Sequence, residues 1–233
     1  MTVFNRSIRL ALVVFCALLG LGAGGVLAQG IEVDYARYLP SSYTDGFKRG
    51  FEIRFSGKAR VDSQDLEVTG SVEQQAGTAS RFGGKDWIEV KQSGYMKFGP
   101  EETEVALIQL YDPRTRLQAF EIDWKDQKIK SFDWMALPRT LRLGEIRLVG
   151  RTQEKDKDEK LVSEGTISYR LTTNKFGHEF CRIEVTRDLE SNEETGVEDC
   201  DQFSRSGRIS GSRVVIKVDE DTTIELTGKF RFN

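Results

Sequence analysis

The residues best suited to chemistry in this 233-residue chain are few. Its single histidine, His178, would have to serve any Ser-His-Asp or Cys-His mechanism, and it sits between Phe176 and Phe180 on one face of a predicted strand, opposite the face carrying Cys181. One histidine also excludes a multi-histidine metal centre within one chain. A Gly-x-Gly-x-x-Gly match at Gly20, Gly22 and Gly25 follows no strand and opens no helix, so it is a false match for dinucleotide binding. Walker loops, His-Glu-x-x-His helices and Gly-x-Ser-x-Gly elbows are absent from the sequence. Carboxylates are plentiful, yet no spacing singles out a glycosidase-like pair. The acidic turns at Asp62 to Asp65 and Asp219 to Asp221, and the tract Glu190 to Glu198, lack the alternating grammar of a dedicated Ca²⁺ loop. No catalytic residue, metal or cofactor is assigned, and the chain is read as non-enzymatic.

The cysteines carry more information. Arg6 and Arg9, the apolar run Ile8 to Leu21, and Val26-Leu27-Ala28 together form a signal peptide, with cleavage expected before Gln29. That divides the chain into a leader at 1–28 and one exported domain at 29–233, with no membrane-spanning segment left after cleavage. Cys16 leaves with the leader, and Cys181 and Cys200 remain as an even pair bound for an oxidising compartment. A disulfide between them is expected, stabilising the fold by roughly 3 kcal/mol. Alternation with Ile183 and Val185 puts Cys181 on the predicted inner face.

Charge narrows the partners. The chain carries 34 basic and 37 acidic residues for a net charge of −3, and removing the leader's two arginines makes it more acidic. Such a mixed surface argues against nucleic acid, which requires a clustered basic stripe.

The elements that must position these residues are strands. Glu104 to Trp124 supplies the one run apolar on both faces, with Val105, Leu107 and Tyr111 on one side and Ala106, Ile108 and Leu110 on the other. Asp112-Pro113-Arg114-Thr115 then reads as a type I turn, and Phe120, Ile122 and Trp124 alternate with Ala119, Glu121 and Asp123 in a returning, half-buried strand. Ile31, Val33 and Tyr35 suggest a first strand; Phe51 to Val61 and Leu66 to Val72 form a hairpin; Gln75 to Lys85 reads as a loop. Gly57 and Gly70, on the apolar face of that hairpin, mark a bulge or a close backbone approach. Trp87 to Phe98 gives one or two short strands, and Arg151 to Lys160 is a solvated hairpin tip. The hairpin at 56–70 resembles the one at 210–228. No capped amphipathic helix is present.

The expectation is an all-β fold with little helix: a single large antiparallel sheet of about a dozen strands, strongly curled into a half-barrel, barrel or sandwich. Trp124, Phe132, Trp134 and Met135 form an aromatic-rich set suited to line the mouth of a curled sheet and touch an apolar ligand. The function this implies is an exported, periplasmic or extracellular carrier or scaffold of the cell envelope, binding a lipid-like ligand or an envelope protein. The alternatives are an outer-membrane β-barrel and an enzyme with carboxylate chemistry.

Overall fold

The computed structural model describes residues 50–61, 64–138, 140–174, 177–204, 209–219 and 221–232. The leader and the strand expected at Ile31 to Tyr35 lie outside them. Thirteen strands are formed among the described residues: β1 (Phe51–Val61), β2 (Gln64–Gln74), β3 (Thr78–Phe82), β4 (Lys85–Phe98), β5 (Glu101–Tyr111), β6 (Gln118–Asp123), β7 (Lys128–Trp134), β8 (Ile146–Lys155), β9 (Leu161–Asn174), β10 (Gly177–Asp188), β11 (Glu194–Ser204), β12 (Ile209–Lys217) and β13 (Thr223–Phe232). Sequential neighbours other than β2 and β3 pair antiparallel, β1 pairs β13, and β2 pairs β4, so twelve strands close into an up-and-down barrel. Closure removes the open edges that a curled sheet would present to other chains. The remaining strand, β3, sits on the early part of β4, pairing Thr78 with Glu89 and Phe82 with Lys85. Thus the segment expected as a loop at 75–85 contains a strand, and the segment after it is one continuous strand of 14 residues. Small, polar side chains hid β3, because its burial pattern is almost wholly exposed.

Alternation assigns the two faces. On β1, Phe51, Ile53, Phe55 and Ala59 are buried, and Arg54, Lys58 and Arg60 point outward. The same parity continues around the barrel: Glu67, Glu73, Lys91, Lys97, Glu164, Arg187, Glu225 and Lys229 are all exposed on the outer face. The inner apolar side chains form two clusters. One runs through β13, β1, β2, β4 and β5 with Phe51, Phe55, Met96, Phe98 and Leu226. The other joins Val90, Tyr111, Ile167, Tyr169, Leu171 and Phe180 with Leu141 from the β7–β8 connection.

Close approach of backbones explains the glycines marked in the sequence. A Cβ on Gly57 would lie 1.9 Å from the Glu225 carbonyl oxygen. Gly70 and Gly228 flank Phe55 on its two neighbouring strands, and a Cβ on Gly228 would sit 3.1 Å from the Phe55 ring. The two similar hairpins are therefore adjacent, packed around one aromatic side chain.

Two expectations of parity are corrected. On β6, Glu121 faces inward and is 1% exposed, whereas Phe120 and Ile122 face outward. The apolar side chains on that outer face remain useful because Phe120 meets the rings of Phe82 and Trp87, at 5.7 and 5.5 Å between centroids. Leu110, the register partner of Phe120, is buried on the same side. That cover accounts for the two-faced strand at 105–111. Cys181 is the second correction: the inner face of β10 carries Phe180, Arg182 and Glu184, so Cys181 lies on the outer wall. The tract Arg151 to Lys160 also divides, with Thr152 and Glu154 buried inside and the turn confined to 156–160.

Candidate functional site

Crossing the barrel interior between the two apolar clusters is a layer of polar and charged side chains. Gln92 Nε2 donates to Gln74 Oε1 at 2.8 Å and to Gln109 Oε1 at 3.2 Å. The Tyr111 hydroxyl donates to the same Gln109 oxygen at 2.8 Å, and Gln109 Nε2 and Gln118 Nε2 both donate to Glu121 Oε2, at 2.9 and 3.2 Å. Lys130 Nζ meets Glu184 Oε1 at 2.5 Å, and Arg182 Nη2 meets Glu184 Oε2 at 2.8 Å. Toward the lower end, which carries the turns at 124–127 and 156–160, Lys128 pairs with Glu154 at 2.8 Å. Strand register sets up the Gln109–Glu121 contact between neighbouring β5 and β6, whereas Lys130 of β7 meets Glu184 of β10 across the interior and Arg182 meets it along β10.

Burial and charge then compete inside this layer. Burial pushes Glu121 up to about 7 despite the attraction of Lys130 and the bond from Gln109. Burial also raises Asp199 to about 7, against Arg182 and a hydrogen bond with Ser212, and it raises Asp201, which the Asp199 carboxylate raises further. Burial would raise Glu184 as well, but Lys130 and Arg182 together hold it below its ordinary value. The layer thus contains carboxylates of opposite behaviour, and Glu121, Lys130, Arg182 and Glu184 are each at most 2% exposed. Buried from bulk water, it forms a charged core across the barrel.

Above it lies an aromatic row. Phe132 and Trp134 stack at 6.2 Å, Trp134 is 6.3 Å from Tyr169, and Tyr169 is 5.0 Å from Phe180. Gly150 pairs with Trp134, and its missing Cβ leaves the indole room at 3.3 Å. The Trp134 Nε1–H donates to the Gln118 carbonyl at 2.6 Å, and the Arg182 guanidinium sits 5.3 Å from the Phe132 ring centroid, a cation–π contact that ties row to layer. Over this row the connection 135–145 turns inward: Leu141 is fully buried, Leu137 packs against the same cluster, and Leu143 bridges Leu171.

The four side chains expected at a mouth separate accordingly. Phe132 and Trp134 share the inner wall of β7 and are both part-exposed there. Met135 follows them onto the upper rim at 42% exposure. Trp124 stands in the turn at the opposite end, 64% exposed, and belongs to no common site with the other three. Sequence reasoning missed Leu143, Ile146 and Leu148, which project from the rim and the top of β8 at 43–58% exposure. Their Leu-x-x-Ile-x-Leu spacing reads as a strand, and that pattern alone does not say that these side chains face solvent.

The expected disulfide is present: Cys181 and Cys200 are direct partners on β10 and β11, with Cα atoms 4.0 Å apart. Arg213 covers it, donating to Glu198 at 2.9 Å and toward Cys200 Sγ at 3.4 Å. Arg170 reaches Glu198 from the other side at 2.5 Å. This ion-pair cover is how a cysteine pair on an outer wall comes to be fully buried.

Comparison with protein-family models, curated proteins and solved structures gives no match to this chain.

Proposed function

We propose that the chain is an exported, non-enzymatic binding barrel of the cell envelope that takes an apolar group at its upper mouth. The observation that carries this reading is the part-exposed Phe132–Trp134 stack on the inner wall, under a rim that presents Met135 and Leu143 to solvent. Apolar surface placed where it contacts water costs solvation unless a partner covers it, and clustered exposure of this kind marks interaction sites. The buried charged layer below would limit depth, because an apolar chain entering it would strip its ion pairs of partners. An acyl chain end or an apolar segment of a partner fits the upper cluster; a wholly enclosed lipid does not.

A closed, even-stranded barrel is also the form of outer-membrane proteins, but a lipid-facing wall requires an apolar outer belt. Arg54, Lys58, Lys91, Lys97, Glu225 and Lys229 occupy those outer positions, which weighs for an aqueous surface. Carboxylates with raised proton affinity stand in the sealed layer, which weighs for a folding role over turnover.

The test uses two single-tryptophan proteins. With Trp87 and Trp124 replaced by Phe, titration with a lysophospholipid below its micellar concentration is expected to shift Trp134 emission to the blue and saturate. The companion protein retaining only Trp124 is expected to stay unchanged. A Trp134 signal insensitive to lipid, or an equal shift at Trp124, would refute mouth binding. Release of the mature chain by osmotic shock checks the compartment; a heat-modifiable band in the outer membrane contradicts it.

A further inference from the structure

The outer wall around the disulfide is built with more ligand chemistry than a cross-link requires. Glu179 and Cys181 are two residues apart on β10, and Glu198 and Cys200 two apart on β11, so all four side chains project from one face. Cys181 pairs Cys200 directly, while Ile183 pairs Glu198 and Glu179 pairs Gln202, which sets the two carboxylates at diagonal corners of the cysteine pair. The ligand atoms of Glu179, Cys181 and Cys200 all lie within 4.8 Å of one another. Glu198 Oε1 is 3.3 Å from Cys200 Sγ. Gln202 Nε2 already orients Glu179 from 3.0 Å, and Arg213 reaches both carboxylates, at 3.4 Å from Glu179 and 2.9 Å from Glu198. Metal ligands are usually held by such outer partners.

We infer that in its dithiol form this wall binds one thiophilic divalent cation, of the Zn²⁺ class, through Cys181, Cys200 and Glu179, with Glu198 as fourth ligand. Two thiolates and two carboxylates face two guanidiniums, Arg170 and Arg213, leaving two negative charges for a divalent ion. Sulfur donors select Zn²⁺ over Ca²⁺ or Mg²⁺, which prefer all-oxygen shells. A tetrahedral site needs the sulfurs about 3.7 Å apart, given metal–sulfur bonds of about 2.3 Å, a separation reached once the S–S bond is gone. The chemistry balances in two steps. A dithiol reductant supplies two electrons and two protons, splitting the Cys181–Cys200 bond into two thiols and becoming a disulfide itself. The cation then displaces both thiol protons and binds the sulfurs. Reoxidation by a disulfide oxidant removes two electrons, remakes the S–S bond and expels the ion, so cross-link and metal are alternative occupants. A newly synthesised chain starts in the dithiol form.

The experiment reduces the full mature chain with a phosphine, removes the reductant without oxygen, and titrates Co²⁺ as the probe. One Co²⁺ per chain is expected, with thiolate-to-cobalt charge-transfer absorption, and Zn²⁺ is expected to displace it; the oxidised chain is expected to show neither. Glu179→Gln and Glu198→Gln, which keep both sulfurs, are expected to weaken binding about tenfold or more. Zn²⁺ is also expected to raise the melting temperature of the reduced chain. The inference is overturned if the reduced chain shows no charge-transfer absorption, if both glutamine variants bind as tightly as the parent, or if reduction unfolds the chain equally with and without Zn²⁺.

Discussion

Replacing Glu121 by Gln isolates the energetic cost of the charged layer. Glu121 is 1% exposed, and burial lifts its carboxyl from the ordinary 4.5 to about 7. An acid with a raised folded value favours the folded state while it is protonated. That favour is complete below pH 4.5 and is lost as pH rises through about 7. At about 1.4 kcal/mol for each decade of proton affinity, the loss attributable to this one group is about 3 kcal/mol. Gln reproduces the protonated acid: its carbonyl can accept from both Gln109 and Gln118, and its amide takes the place of Oε1, which has no hydrogen-bond partner among the described residues. Any cost of placing that amide beside Lys130 is independent of pH, so the slope is the readout. Urea denaturation followed by circular dichroism at pH 5, 6, 7 and 8 is expected to show the parent chain losing stability across this range. The Glu121→Gln chain is expected to lose about 2.5 kcal/mol less between pH 5 and 8, with a residual slope from Asp199, whose value is also about 7, and from Asp201, which burial and Asp199 raise. Parallel curves for the two proteins would refute the reasoning, because they would show that Glu121 does not take up a proton on folding.

Lys130→Met strips Glu184 and Glu121 of their buried cation and is expected to cost about 3–5 kcal/mol, whereas Lys97→Met, which breaks the exposed pair with Glu102, should cost less than about 1 kcal/mol in the same denaturation assay. Gly57→Ala drives a methyl into the β13 backbone and is expected to lower stability by about 1–3 kcal/mol or to prevent closure, read as loss of the cooperative melt. Leu141→Ala removes the buried anchor of the β7–β8 connection; about 2–5 kcal/mol is expected, together with faster amide exchange over 135–145. Peptide mapping without reductant is expected to recover Cys181 linked to Cys200, and alkylation of both cysteines under those conditions would contradict the cross-link.

Much of the barrel was legible because its walls obey the simplest pattern in the sequence. Phe51-Ile53-Phe55 and Ile224-Leu226 alternate with charges, and each formed the strand and the inner face expected of it. Gly57 announced a close backbone approach for the same reason: a glycine on an apolar face has lost a side chain that the core would otherwise use. Legibility failed where the inside is polar. Period-two alternation identifies two faces but not which faces inward; that choice was made by hydrophobicity, and on β6 and β10 hydrophobicity pointed the wrong way. Glu121 turns inward onto Gln109 of the neighbouring β5, and Glu184 turns inward onto Arg182 of its own strand and onto Lys130 of β7, three strands away across the barrel; those pairings are non-local facts. The mouth was half legible. Phe132 and Trp134 share a parity two residues apart, while Trp124 looked equivalent in sequence although a turn and a strand place it at the other end.

A twelve-stranded barrel has a physical reason to tolerate such an interior. Its circumference encloses more space than one shell of Leu and Val side chains can fill, whereas smaller barrels are filled by one such layer. Long side chains can reach across instead, and the longest ones are charged or amide-bearing. In this chain Gln92, Gln109, Glu121, Lys130, Arg182 and Glu184 span the gap: hydrogen bonds link the first three, ion pairs link the last three, and the charge of Lys130 acts on Glu121 between them. A purely apolar filling of aromatic residues would pack more stably but would fix the register of opposite walls less strictly, since apolar contacts are non-directional. The layer therefore exchanges stability for a defined cross-section, with the cost concentrated in Glu121, Asp199 and Asp201. That exchange makes a sharp demand: if directional pairing fixes the walls, replacing Glu121, Lys130 and Glu184 together by Met should retain or raise the melting temperature. The same variant should broaden the amide spectrum of β6, β7 and β10. A triple variant that melts higher and keeps a single sharp set of amide resonances would show that the charged layer specifies nothing.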